Sequence, residues 1–95
     1  MIYLKTEEEI EHLRKANLLV AKVLAEIAKI VKPGVSTLEM DTLAEQVIRD
    51  HGAIPTFKGY PSDIPGAGPF PACICTSVNE VVVHGVPNSQ PLKDG

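Results

Sequence analysis

FPACICTSVNEVVVHGVP, residues 70–87, is the stretch around which the rest of the chain is organised. It runs apolar and β-branched through Ile74, Val78, Val81, Val82 and Val83 and then reaches one polar ring, His84. Gly85 follows at once, removing side-chain bulk and freeing the backbone to turn. Pro87 then fixes the exit path of the chain. The run predicts strands at Ala72–Val78 and Val81–His84, joined by a turn or bulge near Asn79-Glu80. A histidine at the end of a strand suits substrate contact or proton handling near neutral pH. It also suits an ordinary packed or solvated ring, and the residue pattern alone leaves both readings open.

Working outward, residues 61–71, PSDIPGAGPFP, break regular structure and predict a loop. Ala53 to Tyr60 reads as a short extended segment. Upstream lie two helices with legible starts. Thr6 with Glu9 has capping-box spacing, and Glu7 to Glu9 put negative charge in the first turn. Ile10, Leu13, Val20, Leu24, Ile27 and Val31 recur at three- and four-residue steps, and Pro33-Gly34 stops the pattern. Ser36 with Glu39 repeats the capping box, opening a second helix to about Asp50, with Leu43, Ala44, Val47 and Ile48 on one face and Gly52 as the stop. His51 reads as a capping or surface residue, and His12 as part of a solvated face.

The totals narrow the field. Ninety-five residues, 44% hydrophobic and 22% charged, suit one small globular domain. A formal charge of −3 and the lack of a basic cluster argue against nucleic acid as a partner. No hydrophobic run is long enough for a membrane span, and the acidic N-terminus lacks a signal-peptide core. On a strand Cys73 and Cys75 point the same way but lie too far apart for easy disulfide closure, and they read as reduced thiols of a cytoplasmic protein. No neighbouring His, Lys or Arg activates either as a nucleophile.

The parts predict an α+β arrangement: two helices followed by an incomplete antiparallel sheet. A first helix of about 26 residues would be roughly 40 Å long, against a radius of gyration near 13 Å for a compact body of about 100 residues. Such a rod overhangs a small domain and leaves part of its apolar stripe wet. The strands have unpaired edges, and Asp94-Gly95 marks a turn. Together these features lead to the expectation that the chain is the front part of a longer protein.

FKGYP, then FPACICTSVNEVVVHGVP, then PLKDG closely resemble the N-terminal part of type I methionine aminopeptidases, and the two capped helices come in the same order. The resemblance covers residues 1–95, as the N-terminal part of a single catalytic domain, and CTSVNEVVVHGVP is its most specific piece. It implies the pita-bread fold and removal of the initiator methionine from nascent polypeptides, at the ribosome, by a cytoplasmic enzyme that is monomeric when full length. It further implies two divalent metal ions (Co, Mn, Fe, Zn or Ni) held by two Asp, one His and two Glu. None of those five positions falls on residues 1–95, and neither Glu80 nor Asp94 matches one. The fragment alone is therefore expected to bind no metal and to be inactive.

The resemblance makes His84 a catalytic residue that hydrogen-bonds the substrate around the scissile peptide. Tyr60, Phe70 and Cys75 match positions lining the methionine side-chain pocket, and Phe57 falls where some members carry Cys. Asn79 and the carbonyl of Val81 match a monovalent-cation site. The PSDIPGAG insert between Tyr60 and Phe70 departs from the family pattern. Two alternatives stand beside this reading: a non-catalytic binding module of the same fold, and an X-Pro peptidase-like enzyme.

Overall fold

The computed structural model describes residues 1–95 and contains two helices, α1 (Glu7–Ile30) and α2 (Thr37–Asp50). Both start on the predicted capping boxes. Thr6 Oγ1 accepts from Glu9 N at 3.1 Å while Glu9 Oε1 accepts from Thr6 N at 3.0 Å. Ser36 Oγ accepts from Glu39 N at 3.2 Å while Glu39 Oε2 accepts from Ser36 N at 2.7 Å. Each box satisfies two donors that helix geometry leaves without partners. The Thr6 backbone N–H and then its hydroxyl hold the Glu9 carboxyl below its usual range.

α1 stops at Ile30, three residues before Pro33, because a proline disfavours helical backbone in the residue ahead of it and Val31 is already extended, at φ −68° and ψ 113°. α2 ends in a Schellman motif. Ala53 N donates to Ile48 O at 3.1 Å, Gly52 N to Arg49 O at 3.0 Å, and Gly52 takes φ 72°. His51 caps the same end, its Nδ1 lying 2.8 Å from Val47 O.

The helices pack on each other through a small core of Val23, Met40 and Ala44, completed by Ala72 and Cys73. α1 carries two apolar arcs. Leu19, Val23, Ile27 and Ile30 form the arc that is buried or half-buried, whereas Leu13, Val20, Leu24 and Val31 remain exposed. At 100° per residue the two arcs are rotated by about 80°. The predicted stripe is therefore wider than one neighbouring helix can cover, and most of it faces water. At 24 residues α1 is about 36 Å long, in a molecule with extents of 45 × 37 × 23 Å.

The chain's last segment docks on the α1–α2 connection. Gly34 N donates to Leu92 O and Leu92 N to Val35 O, both at 2.8 Å, framing an isolated antiparallel pairing of Ser36 with Pro91. Asn88 O accepts from Leu38 N at 3.0 Å, capping an orphan donor of α2, and Asn88 N donates to Thr37 Oγ1 at 2.9 Å.

The strands expected at Ala72–Val78 and Val81–His84 do not form, and no sheet is present. A ladder needs repeated reciprocal backbone bonds; apart from the turn bond from Val81 N to Val78 O, the nearest link between the segments runs from Thr76 N to Gly85 O at 2.8 Å, one residue beyond the second. The left-handed φ at Asn79 (54°) falls on the expected turn, whereas that at His84 (56°) turns the backbone within the second expected strand.

Candidate functional site

Three backbone devices place the candidate residues. The first is a turn over 57–60, in which Tyr60 N donates to Phe57 O at 3.0 Å and Gly59 sits at φ 81°. Gly59 N then donates to Phe70 O and Phe70 N to Tyr60 O, both at 2.8 Å, closing the 61–69 loop at its base. Phe57, Tyr60 and Phe70 are thereby brought to one locus. Lys58 ties this turn to α2: its Nζ donates to Glu45 Oε1 at 2.7 Å, and Arg49 Nη2 lies 3.0 Å from Glu45 Oε2. The Lys58 hydrogen bond, then that of Arg49, holds the Glu45 carboxyl below its usual range, and Glu45 in turn raises Lys58.

The second device is a carboxylate on α2. Asp41 is buried, and its Oδ1 accepts from both Cys73 N (2.7 Å) and Ile74 N (3.1 Å). Cys73 is buried beside it; desolvation first, and the Asp41 charge second, push its thiol pKa up. A buried thiol with a raised pKa is a packing residue, and Cys75, which is exposed, is the sulfur available at the surface.

The third device is the crossing of two segments. Thr76 N donates to Gly85 O at 2.8 Å, and Gly85 N donates to Ser77 Oγ at 3.1 Å. Gly85 is required here for space: a Cβ on it would lie 2.7 Å from the Thr76 carbonyl carbon and 3.1 Å from Ser77 Cα. The crossing ties the segment that carries Cys75 to the one that carries His84, each of the two being adjacent to a bonded residue. Between them Val81 N donates to Val78 O at 3.1 Å, closing a turn through Asn79.

The candidate residues thus fall into two groups, Phe57–Tyr60–Phe70 and Cys75–His84, with Asn79 and Val81 at the turn. No direct hydrogen bond joins the groups. Phe70 is half-buried; Phe57, Tyr60, Cys75, Asn79, Val81 and His84 are exposed. A groove away from these residues lies between α1 and the end of α2, with Lys15, Leu18, Lys22, His51 and Ala53 among its lining. No three His, Cys, Asp or Glu side chains come together in a way that could hold a metal ion. Neither helix is long and apolar enough to cross a membrane.

Asp41 and Thr37 do not stand out in the sequence reading, yet both hold distant chain. Each is a polar residue on the buried side of α2, next to Met40 and Ala44, and that misfit with the apolar face is the signal that marks them. The hydroxyl of Thr76, inside the crossing, is buried without a partner.

Comparison with known proteins agrees along the chain. The description "Metallopeptidase family M24" fits residues 11–95. A methionine aminopeptidase of Clostridium acetobutylicum is 48% identical over 88 residues, 93% of this chain and 32% of its own length. Methionine aminopeptidase 1 of Bacillus subtilis is 47% identical over 95 residues, all of this chain and 36% of its own. The crystal structure of methionine aminopeptidase from Rickettsia prowazekii superposes on the whole chain with a TM-score of 0.89 and 41% identity, covering 36% of that chain. The chain therefore spans about one third of the length of the relatives it matches.

Proposed function

The chain belongs to metallopeptidase family M24, and on that premise we propose that the intact protein removes the N-terminal methionine of nascent polypeptides by peptide hydrolysis. One observation carries the reading: relatives named methionine aminopeptidase match practically the whole of residues 1–95.

In this proposal residues 1–95 are the N-terminal part of one catalytic domain and supply the substrate-binding side of the reaction. Cys75, Phe70, Tyr60 and Phe57 line the pocket for the methionine side chain, where ring edges and sulfur suit a thioether. An imidazole N–H of His84 donates to the substrate around the scissile peptide, where a preformed donor stabilises developing charge. Asn79 and the Val81 carbonyl hold a monovalent cation that fixes the turn before His84. The pita-bread sheet is likewise part of the proposal, since residues 1–95 contribute helices and no strand to it.

The family name implies a metal. The residues present do not fit one, so no step is routed through a metal on them. The two divalent ions and their carboxylate and imidazole ligands belong, in this proposal, to the part of the fold that the relatives carry outside the matched third. Residues 1–95 alone are then inactive. Nascent chains at the ribosome are the proposed substrates, and a cytoplasmic monomer the proposed form.

The test is release of free methionine from Met-Ala-Ser by the intact protein, with each divalent metal and with a chelator. Metal-dependent release supports the proposal. Binding of the peptide with no release under any metal overturns it in favour of a binding module.

A further inference from the structure

Asp41 presents a physical problem that the core does not explain. Its carboxylate is 8% exposed and takes part in no salt bridge. Burying a charge without an ion partner is costly unless hydrogen bonds compensate, and an apolar residue at the same place on α2 would fill the core at no such cost. What compensates is specific: two successive amides, Cys73 N and Ile74 N, converge on the single oxygen Oδ1 at 2.7 and 3.1 Å. Charge-assisted bonds of this kind are the stronger ones.

The amides held are those immediately before Cys75. One residue further, Thr76 N donates to Gly85 O at 2.8 Å, next to His84. A continuous path of short backbone bonds therefore runs from α2 through Asp41 to the segment carrying Cys75, and across the crossing to His84. No other side chain of a helix bonds to residues 72–85. The 72–76 segment forms no strand, so no ladder within these residues shares the task of fixing its position.

We propose that Asp41 is a positioning residue for side-chain selectivity: by seating the Cys73 and Ile74 amides it sets where Cys75 meets the side chain of the substrate's first residue. The inference rests on the pocket reading of Cys75 given above, and it concerns selectivity beyond general stability. Because only Oδ1 is used, an amide oxygen can stand in for it. A carboxylate one methylene longer keeps the charge but misplaces the oxygen.

The experiment compares Asp41→Asn, Asp41→Glu and Asp41→Ala in the intact protein. Each is assayed for kcat and KM on Met-Ala-Ser and on the same tripeptide with norleucine first, with melting and bound metal measured alongside. D41N is expected to keep the Met-to-norleucine ratio of kcat/KM within about threefold, and D41A and D41E to lower it by about tenfold or more, with bound metal unchanged. A ratio that stays at the wild-type value in D41E, or a loss equal on both substrates in all variants, overturns the proposal. If D41A does not fold, D41N and D41E decide it. Absence of Met-Ala-Ser cleavage by the wild-type protein is a different result, and sinks the proposed function itself.

Discussion

Gly85→Ala is the perturbation whose effect the geometry specifies most fully. The added Cβ would lie 2.7 Å from the Thr76 carbonyl carbon and 3.1 Å from Ser77 Cα, with the Thr76 carbonyl oxygen closer still. All three are backbone atoms, so no side chain can swing aside and the crossing must open. Opening it removes the Thr76 N to Gly85 O bond and the Gly85 N to Ser77 Oγ bond. Each is worth about 1 kcal/mol, and residual overpacking adds about 1–3 kcal/mol. The overlap of these effects leaves about 2–4 kcal/mol, a large share of the ~5–15 kcal/mol that holds an ordinary domain together. A fall in Tm of about 10–30 °C is expected for a domain of this size. Gly68→Ala is the matched control, because nothing lies within 4 Å of a Cβ there and its effect should stay within about 0.5 kcal/mol. Thermal melts followed by circular dichroism read both. A G85A melt indistinguishable from that of G68A would refute the close approach of the two segments. Under the proposed function the same opening displaces His84 in the intact protein, where a shift of about 1 Å in a substrate contact would cost on the order of a hundredfold in rate.

Three further outcomes are expected. Thiol labelling at pH 8 should be biphasic, Cys75 fast and Cys73 slow, since one is exposed and the other buried with a raised pKa; equal rates would contradict the packing role of Cys73. The same shift makes stability pH-dependent on the alkaline side: it is intact below the ordinary thiol value and lost as pH rises from there through the raised folded value, a loss that Cys73→Ala should abolish. Thr37→Val leaves Asn88 N without the acceptor it has at 2.9 Å, and urea unfolding should show a loss of about 1–3 kcal/mol; an unchanged midpoint would show that the bond contributes nothing net.

What could be read from the sequence was local. The Thr6–Glu9 and Ser36–Glu39 boxes and the Gly52 stop involve residues five or fewer apart, and the helices begin and end within a few residues of the expected places. The burial of Val23 in place of Val20 or Leu24 was not legible, because a broad apolar arc does not say which side a neighbour will take. The two expected strands failed for a related reason: β-branched runs report a tendency to pair, and pairing needs partners that residues 1–95 supply only at Thr76 and Gly85. Among the candidate residues, His84 and Gly85 were marked by their isolation in an apolar run. Asp41 was not, since its partners lie 32 and 33 residues away and no short motif encodes that separation.

The paired bonds at the base of the 61–69 loop have a consequence for how such proteins can vary. Tyr60 and Phe70 are held to each other by backbone atoms, so the identity of the intervening side chains does not set their separation. Closing a flexible loop costs only about 0.6 kcal/mol more for each doubling of its length. Insertions at this place are therefore cheap, and the two aromatic residues stay in register while the loop between them is free to change. It is a natural point for grafting an epitope or a second binding segment beside the two aromatic residues, with the exposed Ile64 the first residue to replace.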